Sequence, residues 1–349
     1  MTIGSEAKLD VRELLSEVFE GKTLDRDRAR QVMGCLMDGE LSQMQAAALL
    51  AALRTRGETV EEIVGFAQAM RERAVKVTPR VEGPLLDTCG TGGTGFSSIN
   101  ISTTAIFVAA AGGVKIAKHG NRGVTKRSGS ADVLESLGVK LEQSAEQLAR
   151  SIEQIGLAFI FARTHHPSMK FVAPIRADLQ ARTIFNNLGP LTNPAGANRQ
   201  LMGVFSPHLT VQLANVLAGL GTQRALVVHG DGLDDFTVSG ETTVAELMPD
   251  GEVVDYTMTP EEVGLDRYPR SALEGGDPKQ NAEQLEAVLA GEVEGAKRDV
   301  VLFNAGAALY LGERAPDIRS GVEQAAELLR SGAAAAKLQE LISYSRSGA

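Results

Sequence analysis

The stretch from Leu85 to Ala111 reads LLDTCGTGGTGFSSINISTTAIFVAAA: a short apolar strand, a glycine-rich loop and an apolar segment of helical length. A loop of this kind between a buried strand and a buried helix commits the chain to an α/β architecture. Gly90, Gly92, Gly93 and Gly95 permit backbone angles and close approaches that side chains would block. Asn100, Ile101, Ser102 and Thr103 stand at the predicted helix start, where unpaired amides and the positive dipole end suit an anion. About fifteen residues further on comes KHGNRGVTKRSGS, Lys118 to Ser130, again after an apolar run. It brings Lys118, Arg122, Lys126 and Arg127, and Ser130 opens another predicted helix able to receive a phosphate. Lys126 and Arg127 fit a solvated basic turn equally well. Two phosphate-binding features so close together predict a substrate with several phosphates.

Gly90, Gly92 and Gly95 also satisfy the dinucleotide pattern G-x-G-x-x-G. That reading needs an acid about twenty residues further on to hold a ribose. Here the chain has AAAGGVKIAKHG, without one. The phosphate loop ending in Gly-Lys-Ser/Thr is absent from this position too.

With 349 residues, one large domain and a smaller one are expected, with a core that needs no staples. A net charge of -9 disfavours a general nucleic-acid or membrane-surface role, so the basic residues near Lys118 stand out as local. Cys35 and Cys89 are the two cysteines, which excludes a disulfide framework or zinc spacing; Cys89 reads as a small filler in the glycine loop. Without an apolar leader or a long apolar span, a cytoplasmic protein is expected.

Up to about residue 78 the pattern is helical. Ser42 with Gln45 and Thr59 with Glu62 fit capping boxes, and MQAAALLAAL is suited to tight helix packing. Beyond Val81, apolar strands alternate with helices: LLDTCG, VKIAK, LAFIFA and RALVVHG, with a helical stretch again from Pro278. The expected fold class is therefore α/β: a small helical domain over 1–78, and a large domain over 79–349 with a central sheet flanked by helices.

The segments GTGGTGFSSINIST, KHGNR, SGSADVLESLG and RTIFNNLGPLTNP, in this order, resemble the anthranilate phosphoribosyltransferases, from about Leu14 to the C-terminal helices. The resemblance implies the second step from chorismate to tryptophan: anthranilate and phosphoribosyl pyrophosphate give N-(5-phosphoribosyl)anthranilate and pyrophosphate. It implies an active site in a cleft and hinge between the domains, mid-chain helices near 182–200 joining the helical domain, and a homodimer through that domain. Ser42 to Leu53 is a candidate dimer face, although simple internal packing fits these residues as well.

The resemblance also assigns residues. Gly90, Gly93, Thr94 and Ser98 line the pyrophosphate loop. Asn100, Ile101, Ser102 and Thr103 face ribose and phosphate, joined by Lys118, His119, Asn121, Arg122, Lys126 and Ser130. Arg176 is the partner of the anthranilate carboxylate, with Arg182 a competitor, and Gly90, Asn121, His166 and Pro190 shape the rest of the slot. Asp234 and Asp235, in HGDGLDDF, together with Ser102 would hold magnesium, two ions per site. Two departures from the family pattern stand out: Asp235 where the second acid is commonly Glu, and Thr94 where the loop commonly carries Asp. No general base is assigned, because the aromatic amine is already neutral near pH 7. The competing readings are a nucleoside phosphorylase of the same fold and a catalytically silent relative that binds nucleic acid.

Overall fold

The computed structural model describes residues 10–123 and 127–347, so Lys126 lies outside the described residues. The chain forms two compact units: one takes the residues up to Ala74 together with His166–Thr192, the other Val75–His165 and the chain from Asn193 onward.

The first unit is helical. Its main helices are α1 (Val11–Phe19), α2 (Arg26–Met37), α3 (Gln43–Arg56) and α4 (Val60–Glu72). Each begins at a side-chain cap, Asp10, Asp25, Ser42 and Thr59 in turn, and the last two are the capping boxes the sequence predicts. Glu62 belongs to one of these boxes and is fully buried, where its carboxylate also accepts from the Leu24 amide (2.9 Å) and the Arg56 guanidinium (2.5 Å). Helices α2 and α4 meet at Gly65, where a Cβ would stand 2.3 Å from the Arg26 carbonyl oxygen. The mid-chain contribution includes two short helices, Ala173–Leu179 and Phe185–Leu188. Phe19 and Met44 remain 60% and 85% exposed, which leaves apolar surface on α1 and at the start of α3.

The second unit is built on a seven-stranded sheet. Its strands are β1 (Leu85–Gly90), β2 (Lys115–Gly120), β3 (Leu157–Phe161), β4 (Arg199–Gly203), β5 (Arg224–Gly230), β6 (Thr242–Leu247) and β7 (Val253–Met258). The spatial order is β3-β2-β1-β4-β5-β6-β7, with parallel pairing from β3 through β5 and antiparallel pairing beyond. The helices α5 (Ile101–Ala111), α6 (Ser130–Ser136) and α7 (Ala145–Ile155) connect the first strands. Helix α5 and the helix Ala296–Leu311 are buried along most of their length, as their apolar sequences require.

The expected pairing of a small helical domain with a large α/β domain is present. The four strands read from sequence are β1, β2, β3 and β5. The sheet adds β4, whose Arg199 and Gln200 mask a fully buried strand, and β6 and β7, whose polar residues mark an antiparallel edge. Among the described residues no helix is long and apolar enough to cross a membrane.

Candidate active site

The chain lays down β1, β2 and β3 outward on one side, then returns to place β4 on the other side of β1. The strand order therefore reverses between β1 and β4, and ligands of open α/β sheets bind beyond the C-terminal ends of strands at such a point. Both strands end there in glycine, and Gly90 and Gly203 are register partners. Asp234 occupies the space above them. A Cβ on Gly90 would lie 2.2 Å from Asp234 Oδ2, and one on Gly203 would lie 1.6 Å from the Asp234 carbonyl oxygen. The Gly92 amide donates to Asp234 Oδ2 at 2.9 Å, so the glycine loop and the acidic turn hold each other.

Further bonds fix both partners. The Thr91 amide donates to the Gly203 carbonyl (2.9 Å), and Thr91 Oγ1 accepts from the Phe205 amide (3.1 Å). Gly92, Gly93 and Gly95 all have positive φ, between 66° and 77°. On the acidic side, the side chain of Asn304, in the helix Ala296–Leu311, accepts from the Phe236 amide (3.1 Å) and donates to the Phe236 carbonyl (2.9 Å). Asp234 and Asp235 are both buried. Gly203 and Asn304 escape a reading of local motifs. Their signals are a glycine at the end of a strand and an asparagine within the apolar run LFNAGAALYL.

Lys118, on β2, is 1% exposed. Its ammonium donates to the Thr88 carbonyl (2.5 Å) and reaches Thr88 Oγ1 and Ser102 Oγ, each at 3.4 Å. Burial pulls its pKa down, partly offset by the charge of Asp87. Asp87 is wholly buried, which raises its pKa to about 6 against the bonds that favour its ionised form. One of these bonds comes from the His119 amide to Asp87 Oδ1, at 3.0 Å. Cys89 packs as a filler would, accepting from Gln200 Nε2 at 3.1 Å. The structure thus gathers Gly90, Thr88, Ser102, Lys118 and Asp234 at the C-terminal end of the parallel strands, and Thr103 and His119 are buried too.

At the start of α5, Asn100 makes no side-chain cap. Ser98 is buried, and Thr94 Oγ1 lies 3.4 Å from the Phe96 carbonyl oxygen. In the second loop Asn121 and Arg122 are exposed, and Ser130 opens α6. The Arg122 guanidinium is engaged by Asp132 (3.0 Å) and Glu135 (2.7 Å), which raise its pKa. Asp132 also receives the Gly123 and Gly129 amides, both at 2.9 Å. The helical unit carries the other expected residues. Arg176 is half-buried, its pKa lowered by desolvation, with its guanidinium 5.7 Å from the centre of the Phe185 ring. His166 and Pro190 are buried in the same unit.

A helical bundle domain model of a glycosyl transferase family matches residues 12–74, and the α/β domain model of the same family matches residues 82–335. An anthranilate phosphoribosyltransferase from Rubrobacter xylanophilus is 53% identical over 337 residues, 96% of this chain and 98% of that one. The chain belongs to the anthranilate phosphoribosyltransferase family. Two solved members agree in fold. The Thermus thermophilus enzyme superposes with a TM-score of 0.91 at 46% identity, covering 97% of this chain and 100% of that one. The Saccharomyces cerevisiae enzyme, solved with phosphoribosyl pyrophosphate and magnesium, gives 0.88 at 26% identity, covering 98% and 99%.

The donors of this chain fit the metal that the family implies. Asp234 and Asp235 are adjacent carboxylates on a fixed turn, and Ser102 supplies a hydroxyl. This is an all-oxygen set with few protein ligands, the kind magnesium takes when substrate phosphates and water complete its shell.

Proposed function

We infer that this chain transfers the 5-phosphoribosyl group from phosphoribosyl pyrophosphate to the amine of anthranilate, releasing pyrophosphate. The observation that carries this reading is the pair Gly90 and Gly203 closed over Asp234, with the buried Lys118 ammonium beside Ser102 on the neighbouring elements. A fixed acid, a buried cation and an uncapped helix start at a strand-order reversal suit a ligand that carries a diphosphate.

The chemistry is a problem of charge. As the bond from the anomeric carbon to pyrophosphate lengthens, the ribose becomes cationic and the leaving group gains negative charge. Lys118 is held by Thr88 and needs no reorganisation to meet that charge, which is the condition under which a preorganised group is most effective. The amides of Gly93 and Thr94, the hydroxyls of Ser98, Ser102 and Thr103, and the starts of α5 and α6 at Asn100, Ile101 and Ser130 complete the phosphate and ribose contacts. His119, Asn121, Arg122 and Lys126 border the same substrate. Arg122 does so at the rim, with its guanidinium still paired to Asp132 and Glu135. Magnesium, two ions held by Ser102, Asp234, Asp235 and the substrate, would add positive charge against the leaving pyrophosphate. In the helical unit Arg176 pairs with the anthranilate carboxylate, as a forked guanidinium does well, with His166 and Pro190 as that unit's other anthranilate residues; Gly90 and Asn121 are those of the α/β unit. The amine is neutral near pH 7, so alignment behind the anomeric carbon replaces a general base. The protein acts in the cytoplasm as a homodimer joined through the helical domain, where Met44 at the start of α3 offers exposed apolar surface.

The test follows the loss of anthranilate fluorescence on adding phosphoribosyl pyrophosphate, with and without magnesium. Magnesium-dependent loss is expected. Phosphorolysis of a pyrimidine nucleoside by free phosphate, without such a loss, would replace this reading with a phosphorylase.

A further inference from the structure

The helix starts of this chain divide into two kinds. At Ser42, Thr59, Ser144 and Asp277 the cap residue is extended, with ψ between 155° and 172°, and its side chain accepts from an amide of its own helix. Asn100, at the start of α5, has ψ of 71° and makes no such bond, although asparagine is among the preferred cap residues. Its side chain is held elsewhere. Asn100 Oδ1 accepts from Asn281 Nδ2 at 2.8 Å and lies 3.4 Å from Ser128 Oγ, while Asn100 Nδ2 reaches the Ser128 carbonyl at 3.5 Å.

Asn281 is 2% exposed and lies in the first turn of the helix Pro278–Leu289. That turn is itself rigid, with Asp277 and Gln280 capping each other and Pro278 at its first position. The second end of the Asn281 amide, Oδ1, accepts from the Gly276 amide at 2.7 Å. The preceding residues run against the phosphate loop. The Ile99 amide donates to the Leu273 carbonyl (3.1 Å) and the Gly275 amide to the Ser97 carbonyl (2.8 Å). Gly275 passes so close that a Cβ there would lie 2.5 Å from the Ser98 carbonyl oxygen. Residues 273–281 thus form a strap that fixes 97–100, and the Asn281–Asn100 bond is its last link.

We propose that Asn281 is a positioning residue for the phosphoribosyl pyrophosphate site: by holding the Asn100 side chain, it keeps that side chain off the Ser102 and Thr103 amides of α5 and leaves them to the substrate, the Ile101 amide being already bonded to the Ile99 carbonyl (2.9 Å). The proposal rests on the transferase reading above. Asn281 itself touches no reacting atom. Released from Asn281, Asn100 Oδ1 is free to turn onto the Ser102 or Thr103 amide, the place a cap side chain takes at most helix starts, and there it competes with the ligand.

Asn281→Asp keeps the size of the side chain and the acceptor for the Gly276 amide, but sets an acceptor against Asn100 Oδ1. The KM for phosphoribosyl pyrophosphate is expected to rise about 3- to 30-fold, the range over which a self-cap would compete. The kcat and the KM for anthranilate should stay within about twofold, since only ground-state access to one substrate changes. In an Asn100→Ala background the competing cap is gone, so Asn281→Asp should add nothing further to KM. An equal rise in both backgrounds would assign the effect to charge or to general loosening and overturn the proposal, as would an unchanged KM in the single variant. If Asn281→Asp does not fold, Asn281→Ala removes the donor without adding charge and carries the same expectations. A wild-type chain without transferase activity would sink the transferase reading instead, before either variant is made.

Discussion

The loops after β1 and β2 of the α/β unit commit their side chains differently. The loop after β1 is fixed by backbone and close contact: positive-φ glycines, the Gly92 amide on Asp234, the Thr91 amide on Gly203, and the strap at 97–100. In the described part of the loop after β2, Asp132 takes the Gly123 and Gly129 amides and Gly129 passes close to the backbone of 121–123, but its cation is committed as well, with Arg122 spanning Asp132 and Glu135 at the surface. A loop held by its own backbone has side chains to spare for a ligand and cannot tolerate added atoms. A loop held by exposed ion pairs has already committed its charges, yet it can lose one of them at little cost to the fold.

The sharpest way to break this contrast is Gly90→Ala. Its methyl would stand 2.2 Å from Asp234 Oδ2 and 2.9 Å from the carboxyl carbon, so the acidic turn must move. A displacement of that size in a positioned group is expected to lower kcat/KM for phosphoribosyl pyrophosphate roughly 100-fold. Steady-state kinetics on a variant with an unchanged unfolding midpoint decide the matter; activity within a few-fold of wild type would mean the closure over Asp234 is dispensable. Next in size is Lys118→Met, which keeps the length of the side chain and removes the buried cation. Loss of a charge-assisted contact to phosphate should raise the KM for phosphoribosyl pyrophosphate about 10- to 100-fold. A much smaller change would show that the ammonium serves Thr88 alone.

Asp87 tests the same region through pH. Its carboxyl, raised by burial to about 6, stands above the unfolded value of about 3.9. The stability that this group contributes is therefore fully present below about pH 4 and is lost as pH rises through about 6. Relative to Asp87→Asn, the wild type should lose on the order of 2 kcal/mol across that window. Urea unfolding of both proteins at either end of the window measures the difference. Parallel curves would mean that Lys118 and the amide donors hold Asp87 ionised throughout.

The legible part of this fold is the local part. Four glycines with the helix start that follows, and two capping boxes, are each written within a few residues, and the structure realises them where the sequence puts them. What stays hidden depends on register and distance along the chain. Nothing near Gly90 announces that Gly203 is its partner on β4, or that Asp234 fills the space above both. Asn281 lies far in sequence from the Asn100 side chain it holds, and Asn304 from the Phe236 backbone it fixes. Strand β4 is masked by Arg199 and Gln200. Those polar residues are buried because Arg199 reaches Glu313 (2.7 Å) and Gln200 reaches Cys89 (3.1 Å), pairings invisible in the strand itself. Arg122 shows the converse. A cation read from charge alone looks available to phosphate, yet Asp132 and Glu135, three residues apart on α6, already face it.

The smallest expected effect is therefore the most discriminating for the second loop. Arg122 is 43% exposed and Glu135 55%, with Asp132 less so, and pairs at such a surface contribute little to stability. If the charge is committed to α6, Arg122→Ala should change the KM for phosphoribosyl pyrophosphate by less than about threefold at moderate salt, since one exposed and already paired charge contributes weakly at a distance. If Arg122 instead leaves Asp132 and Glu135 for the substrate, the KM should rise as much as in Lys118→Met. In that case Glu135→Gln, which loosens the competing pair, should lower the KM below wild type. Agreement between the Arg122 and Lys118 variants would erase the difference between the loops. A threefold ceiling for Arg122 alone would locate the work of binding in the loop after β1 and in the buried cation beside it.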